Sequence, residues 1–92
     1  AVEQMAVLHA HHPKGFLEEL HYHAAMWEVF IFHEPARYLI CGHEYTLAAG
    51  DVVVLEPGDA HGAVPVDHEV NITVLQLPPV SGDKVLMPAS AA

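Results

Sequence analysis

Short apolar runs broken by Gly, Pro, Asp or Asn recur along the whole chain, and no stretch sustains the i, i+3, i+4, i+7 spacing of a long amphipathic helix. The pattern predicts strands over residues 17–23, 28–33, 36–41, 44–47, 51–55, 61–64 and 69–77. Turn chemistry separates them at Glu34-Pro35, Gly42-His43, Ala49-Gly50-Asp51, Pro57-Gly58-Asp59 and Pro65-Val66-Asp67-His68. Many short strands with no helices between them imply an all-β fold, an antiparallel sandwich or barrel rather than a parallel α/β sheet. Residues 1–14 read as an N-terminal arm, 15–77 as one barrel domain, and 78–92 (PPVSGDKVLMPASAA) as a C-terminal arm or tail.

Strand periodicity also selects a chemistry. Residues i and i+2 of a strand share a face, so His21 and His23 present two imidazoles side by side. Glu28 opens the next apolar strand, where a hairpin sets its carboxylate opposite the pair, and His61 arrives later at a strand mouth after the Pro57-Gly58-Asp59 turn. Parity from Glu28 turns Phe30 and Phe32 into the barrel and His33 out of it. Trp27 reads as a packed aromatic, Gln76 and Asn71 as polar groups facing the pocket, and Tyr22 and Tyr38 as packing residues that can double as proton donors.

Composition narrows the partners. Ninety-two residues are enough for one small core. No apolar run approaches the roughly 20 residues of a membrane-spanning helix. Twelve acidic residues against three Lys plus Arg give a formal charge of −9, which disfavours a nucleic-acid backbone as partner. Lone Cys41 makes no internal disulfide and reads as structural. The first ten residues carry no basic stretch of the kind a secretory signal needs, so the expected compartment is the cytoplasm.

The nine histidines are the anomaly, because imidazole is the commonest metal ligand. His9, His11 and His12 form an HxHH cluster ahead of the first predicted strand and read as a solvated arm. His33, His43 and His68 fall at or near turns and read as surface residues.

Two segments bring a family resemblance. Gly15, five residues, His21, one residue, His23, four residues and Glu28 resemble the first motif of the cupins, with Pro35 standing where that motif ends in Gly. The stretch GDVVVLEPGDAH from Gly50 to His61 is similar to the second cupin motif. There, Glu56 replaces the usual proline, which follows at Pro57, and Pro65 stands where Asn often closes the motif. The resemblance covers residues 15–77 and implies a small single-domain cupin, an antiparallel jelly-roll β-barrel (double-stranded β-helix).

By the same resemblance the metal ligands are His21, His23, Glu28 and His61, the set that strand parity already groups. Three neutral imidazoles and a carboxylate suit Fe, Mn, Ni, Co or Zn, and the donor set does not choose among these divalent ions. The expected function is that of a metal-dependent enzyme of dioxygenase, isomerase or lyase type acting on a small organic substrate in the barrel. The alternative is a non-catalytic cupin that binds or senses a small ligand such as a sugar. No residue stands out as a general base, and the apolar sheet faces and arms predict a homodimer.

Overall fold

The computed structural model describes residues 4–87. Nine strands form among them and no helix: β1 (Ala6–His12), β2 (His21–His23), β3 (Trp27–Phe32), β4 (Ala36–Ile40), β5 (His43–Leu47), β6 (Val52–Leu55), β7 (His61–Val64), β8 (Val70–Leu77) and β9 (Lys84–Leu86). They build two antiparallel sheets, one ordered β1-β8-β3-β6 and the other β5-β4-β7-β2-β9. This is the antiparallel architecture expected from the strand pattern and the jelly-roll barrel that the resemblance implies.

The core lies between the two inner faces. In β3 the alternation buries Glu28, Phe30 and Phe32, and β8 answers with Val70, Ile72 and Val74. Phe30 is paired with Val74 and Phe32 with Ile72. From the other sheet Tyr38 enters edge-on, its ring 5.3 Å from Phe32 and 5.9 Å from Phe30, the arrangement the aromatic quadrupole favours. Phe30 and Phe32 therefore face inward and His33 outward, as parity requires.

Two segments that read as arms belong to the sheets. Residues 6–12 pair with β8 along their whole length, from Ala6 opposite Gln76 to His12 opposite Val70. Leu8, Ala10 and His12 turn inward while Val7, His9 and His11 turn outward. Histidines on both faces hid this alternation in the sequence. From the tail, Lys84–Leu86 adds an edge strand beside β2, with His23 opposite Lys84; residues 88–92 of that tail lie outside the described residues.

The predicted strand at 17–23 shrinks to His21–His23 because the chain before it passes directly over Gly62. Glu18 N–H donates to the Ala63 carbonyl at 3.2 Å. A Cβ on Gly62 would lie 2.7 Å from the Glu18 carbonyl oxygen, so only glycine admits the crossing. Trp27, expected to pack, is 43% exposed on the outer face. The β4–β5 hairpin turns through Cys41 and Gly42, both at positive φ, as a two-residue turn with the strand twist demands.

Gly62→Ala is expected to destabilise the barrel by about 1–3 kcal/mol through overpacking against the residue 18–20 backbone. Urea unfolding of the two proteins checks this, and unchanged midpoints would show that the crossing yields freely.

Candidate metal centre

The site forms where the two sheets meet at one end of the barrel. His21 and His61 are directly paired across β2 and β7, and their rings lie 4.4 Å apart. His23, two residues on, shares the face of His21, with ring centroids 5.4 Å apart. Glu28 comes from the opposite sheet, at the start of β3. His21, Glu28 and His61 are buried and His23 is nearly so. Each of the three imidazoles offers one ligand atom, and these atoms lie within 4.8 Å of one another.

What orients the rings is a set of hydrogen bonds on their far sides. His21 Nδ1–H donates to the Glu19 carbonyl at 3.0 Å, and His61 Nδ1–H to the Asp59 carbonyl at 2.9 Å. His23 Nδ1–H donates to the Asp83 carboxylate at 2.8 Å. A carbonyl or carboxylate oxygen only accepts, so all three protons sit on Nδ1 and each neutral ring carries its lone pair on Nε2.

That leaves acceptors facing acceptors. His23 Nε2 is 3.1 Å and His61 Nε2 3.6 Å from Glu28 Oε1. His61 Nε2 and Glu28 Oε1 are buried without a hydrogen-bond partner among the described residues. A proton on His23 Nε2 can bridge to Glu28, but it does nothing for His61 Nε2. Unpaired buried acceptors cost on the order of 1–3 kcal/mol each, and one cation among them relieves all of them together. The donor set thus fits a divalent ion of the imidazole-binding kind.

Electrostatics favour an ionised Glu28. Burial pushes its carboxyl upward, but a proton on the His61 ring, the Gln76 amide and a proton on the neighbouring His23 ring outweigh it when no cation is present and hold the group below its ordinary value. Gln76 Nε2–H donates to Glu28 Oε2 at 3.3 Å, steadying the carboxylate. Burial lowers the His21 pKa, against the pull of the Glu19 carbonyl, and favours the neutral ring that a metal needs.

His21 and His23 open on a cavity of about 250 Å³ between the sheets, lined on its apolar side by Ala10, Phe30, Ile72 and Val74. Gln76 faces it as expected, whereas Asn71, an odd number of residues away, points outward and bonds His9 and Glu34. His11 and His33 also make outer-face contacts, to Glu69 and Thr73, and His68 binds the Pro35 carbonyl at the surface. Exposed His43 begins β5. Three residues that the sequence pattern did not single out belong to the site, Asp83 behind His23 and Glu18 and Lys84 in the cavity wall, and His12, which read as part of a solvated arm, lines the cavity too. His12 carries a legible signal, since it alternates inward with Leu8 and Ala10, but Asp83 sits 60 positions from His23 and no local pattern marks it.

Asp83 also accepts from the backbone N–H groups of Ala25 and Met26, so it ties the β2–β3 connection to the His23 ring. Partial desolvation raises its pKa, yet the His23 bond and these two N–H groups prevail and keep it ionised below the ordinary range. Asp83→Ala is expected to weaken binding of a divalent ion by about 10–100-fold, as loss of a carboxylate behind a ligating imidazole does elsewhere. Chelator competition measures this, and an unchanged affinity would remove Asp83 from the site.

No family model and no curated protein matches the chain. Solved structures do. The chain is similar to an uncharacterised conserved protein with a double-stranded β-helix domain from Klebsiella pneumoniae (TM-score 0.80, 23% identity, 92% of this chain and 76% of that one). It is similar to the DMSP lyase DddQ from Ruegeria pomeroyi (TM-score 0.81, 24% identity), where 92% of this chain spans 44% of that protein, less than half its length. A cupin protein from Bacteroides fragilis gives a TM-score of 0.72 at 21% identity, over 85% of this chain and 69% of that one. With two antiparallel sheets closed over a histidine cluster and these likenesses in hand, the chain has the double-stranded β-helix fold of the cupins.

Proposed function

We propose that His21, His23, Glu28 and His61 hold one divalent metal ion and that the chain is a metal-dependent enzyme acting on a small organic molecule in the adjoining cavity. The convergence of His23 Nε2, His61 Nε2 and Glu28 Oε1 on one point, all three acceptors, carries this reading. An ion there supplies Lewis-acid polarisation of a bound oxygen, or a place for dioxygen, depending on which metal it is.

The chain's own residues do the rest. The three Nδ1–H bonds fix the rings before anything binds, which lowers the ordering cost of loading the site. Phe30, Ile72 and Val74 exclude water from one wall of the cavity and raise the strength of every polar contact inside it. The likeness to a DMSP lyase keeps a lyase reaction beside isomerase and dioxygenase chemistry; the fold itself is compatible with all three.

Metal analysis with a substrate screen run in air and under nitrogen tests the assignment. Stoichiometric metal with turnover is the expected result, and oxygen dependence separates the dioxygenase class from the others. A metal at a hundredfold its dissociation constant is expected to stabilise the fold by about 2.7 kcal/mol, and the His21→Ala, His23→Ala double variant to stay folded and gain none of it. Because Glu28 has its pKa lowered in the fold, its share of stability is present above the ordinary value of 4.5 and lost as pH falls through the folded value. The metal-dependent gain declines on acidification as well, because protons compete with the ion for the imidazole and carboxylate lone pairs, and calorimetric melts of both proteins against pH read it directly.

The chain is further proposed to pair as a homodimer through the outer face of the β1-β8-β3-β6 sheet. Val7, Trp27, Val52 and Val54 are exposed there, and register places Leu75 and Val29 in line between Val7 and Val54. Sedimentation equilibrium is expected to give about twice the 10.0 kDa chain mass at micromolar concentration; a species of single mass would refute it.

A further inference from the structure

Four cavity residues, His12, Glu18, Tyr38 and Lys84, have no role in holding the metal. Each presents a definite hydrogen-bonding character. Tyr38 is only 2% exposed yet lines the cavity, and burial together with the Glu18 and Glu28 carboxylates drives its pKa far up, so its hydroxyl stays protonated as a donor. His12 is half-buried, stacked on Phe16 at 4.4 Å with Tyr38 beyond at 6.3 Å. Burial, with a smaller push from His11, outweighs the Glu18 carboxylate and lowers the His12 pKa, leaving a neutral ring with one nitrogen free to accept.

Position orders these groups along the cavity. Lys84 stands beside the histidine cluster, opposite His23 in the β2–β9 register and close enough to His21 to act on it by charge. Glu18 shares the cavity wall with His21 and His12 and acts on both by charge. His12 closes the far end of the inward row Leu8, Ala10, His12 on β1. In a chain of charge −9 with three Lys plus Arg, Lys84 is the cation of this cavity, while Lys14 and Arg37 line a different surface hollow. The complement of this wall is a molecule with an anionic group at one end and hydroxyls further in, donating to Glu18 and His12 and accepting from Tyr38. At about 250 Å³ the space falls below the roughly 300–1,000 Å³ usual for drug-sized ligands, which favours a smaller molecule.

We infer that the cavity binds a small hydroxy acid, its carboxylate at the Lys84 and metal end and its hydroxyls hydrogen-bonded to Tyr38, Glu18 and His12. This rests on the proposed function and names the substrate class for that site. Three probes separate its parts: glycerate carries both features, propionate the carboxylate alone, and glycerol the hydroxyls alone. Calorimetric affinities are read on the full chain with and without added Mn²⁺ or Zn²⁺, after metal binding has been measured on its own.

Glycerate is expected to bind about tenfold more tightly than either partial analogue. Tyr38→Phe combined with Glu18→Gln should erase the preference over propionate, and Lys84→Met the preference over glycerol in the metal-free protein, with metal affinity unchanged by Tyr38→Phe. His12 proton resonances should shift on adding glycerate and not propionate. Equal affinities for the three probes in the wild type, or preferences that survive these substitutions, overturn the inference while leaving metal binding intact. A chain that takes up no metal overturns the proposed function instead, and the hydroxyl preference is then read in the metal-free protein.

Discussion

Three imidazoles and a carboxylate buried face to face are the constraint on which this structure turns. Each imidazole has its Nδ1 proton committed to a partner behind it, so its Nε2 points at the common centre. Buried acceptors left in this state oppose folding, and a protein keeps such an arrangement where a cation answers it. The surrounding elements are arranged to maintain it. β2 and β7 align His21 with His61, the opposing sheet delivers Glu28, and the Gln76 amide holds the carboxylate in place.

The same constraint gives the ends of the described chain a structural role. Asp83 lies just before β9, and β9 pairs with the very strand that carries His21 and His23. Closing that edge buries part of the site and orients one of its imidazoles in a single step. On the opposite side β1 covers the flank of β8, which brings Leu8, Ala10 and His12 over the cavity. The segment from 18 to 20, pressed onto Gly62, supplies the Glu19 carbonyl that orients His21. Packing at Gly62 and ligand geometry at His21 are therefore mechanically linked.

Charge is distributed in a way consistent with small-molecule chemistry. Near the cavity the Glu28 carboxylate accepts from the Gln76 amide, and Lys84 stands in the same wall as Glu18 and Glu28. The outer face of the four-stranded sheet is instead apolar around Trp27, Val52 and Val54. One face of that sheet thus builds the cavity wall and the other remains available for association, the division of labour that strict alternation along β3 makes possible.

The all-β class, the inward turn of Phe30 and Phe32, and the grouping of His21, His23, Glu28 and His61 were all legible in the sequence. They follow from strand parity and turn residues, which act over a few positions. Parity also places His12 inward once β1 is known to be a strand, but a strand with histidines on both faces gives no apolar alternation to read. Other features lay beyond local pattern altogether. Asp83 meets His23 across 60 positions, and Glu18 meets Gly62 where the chain crosses itself. Those contacts depend on which strands become neighbours and in what register. That choice is made by the whole core closing at once, so the sequence determined which side chains would face inward and only the tertiary structure decided which of them would meet.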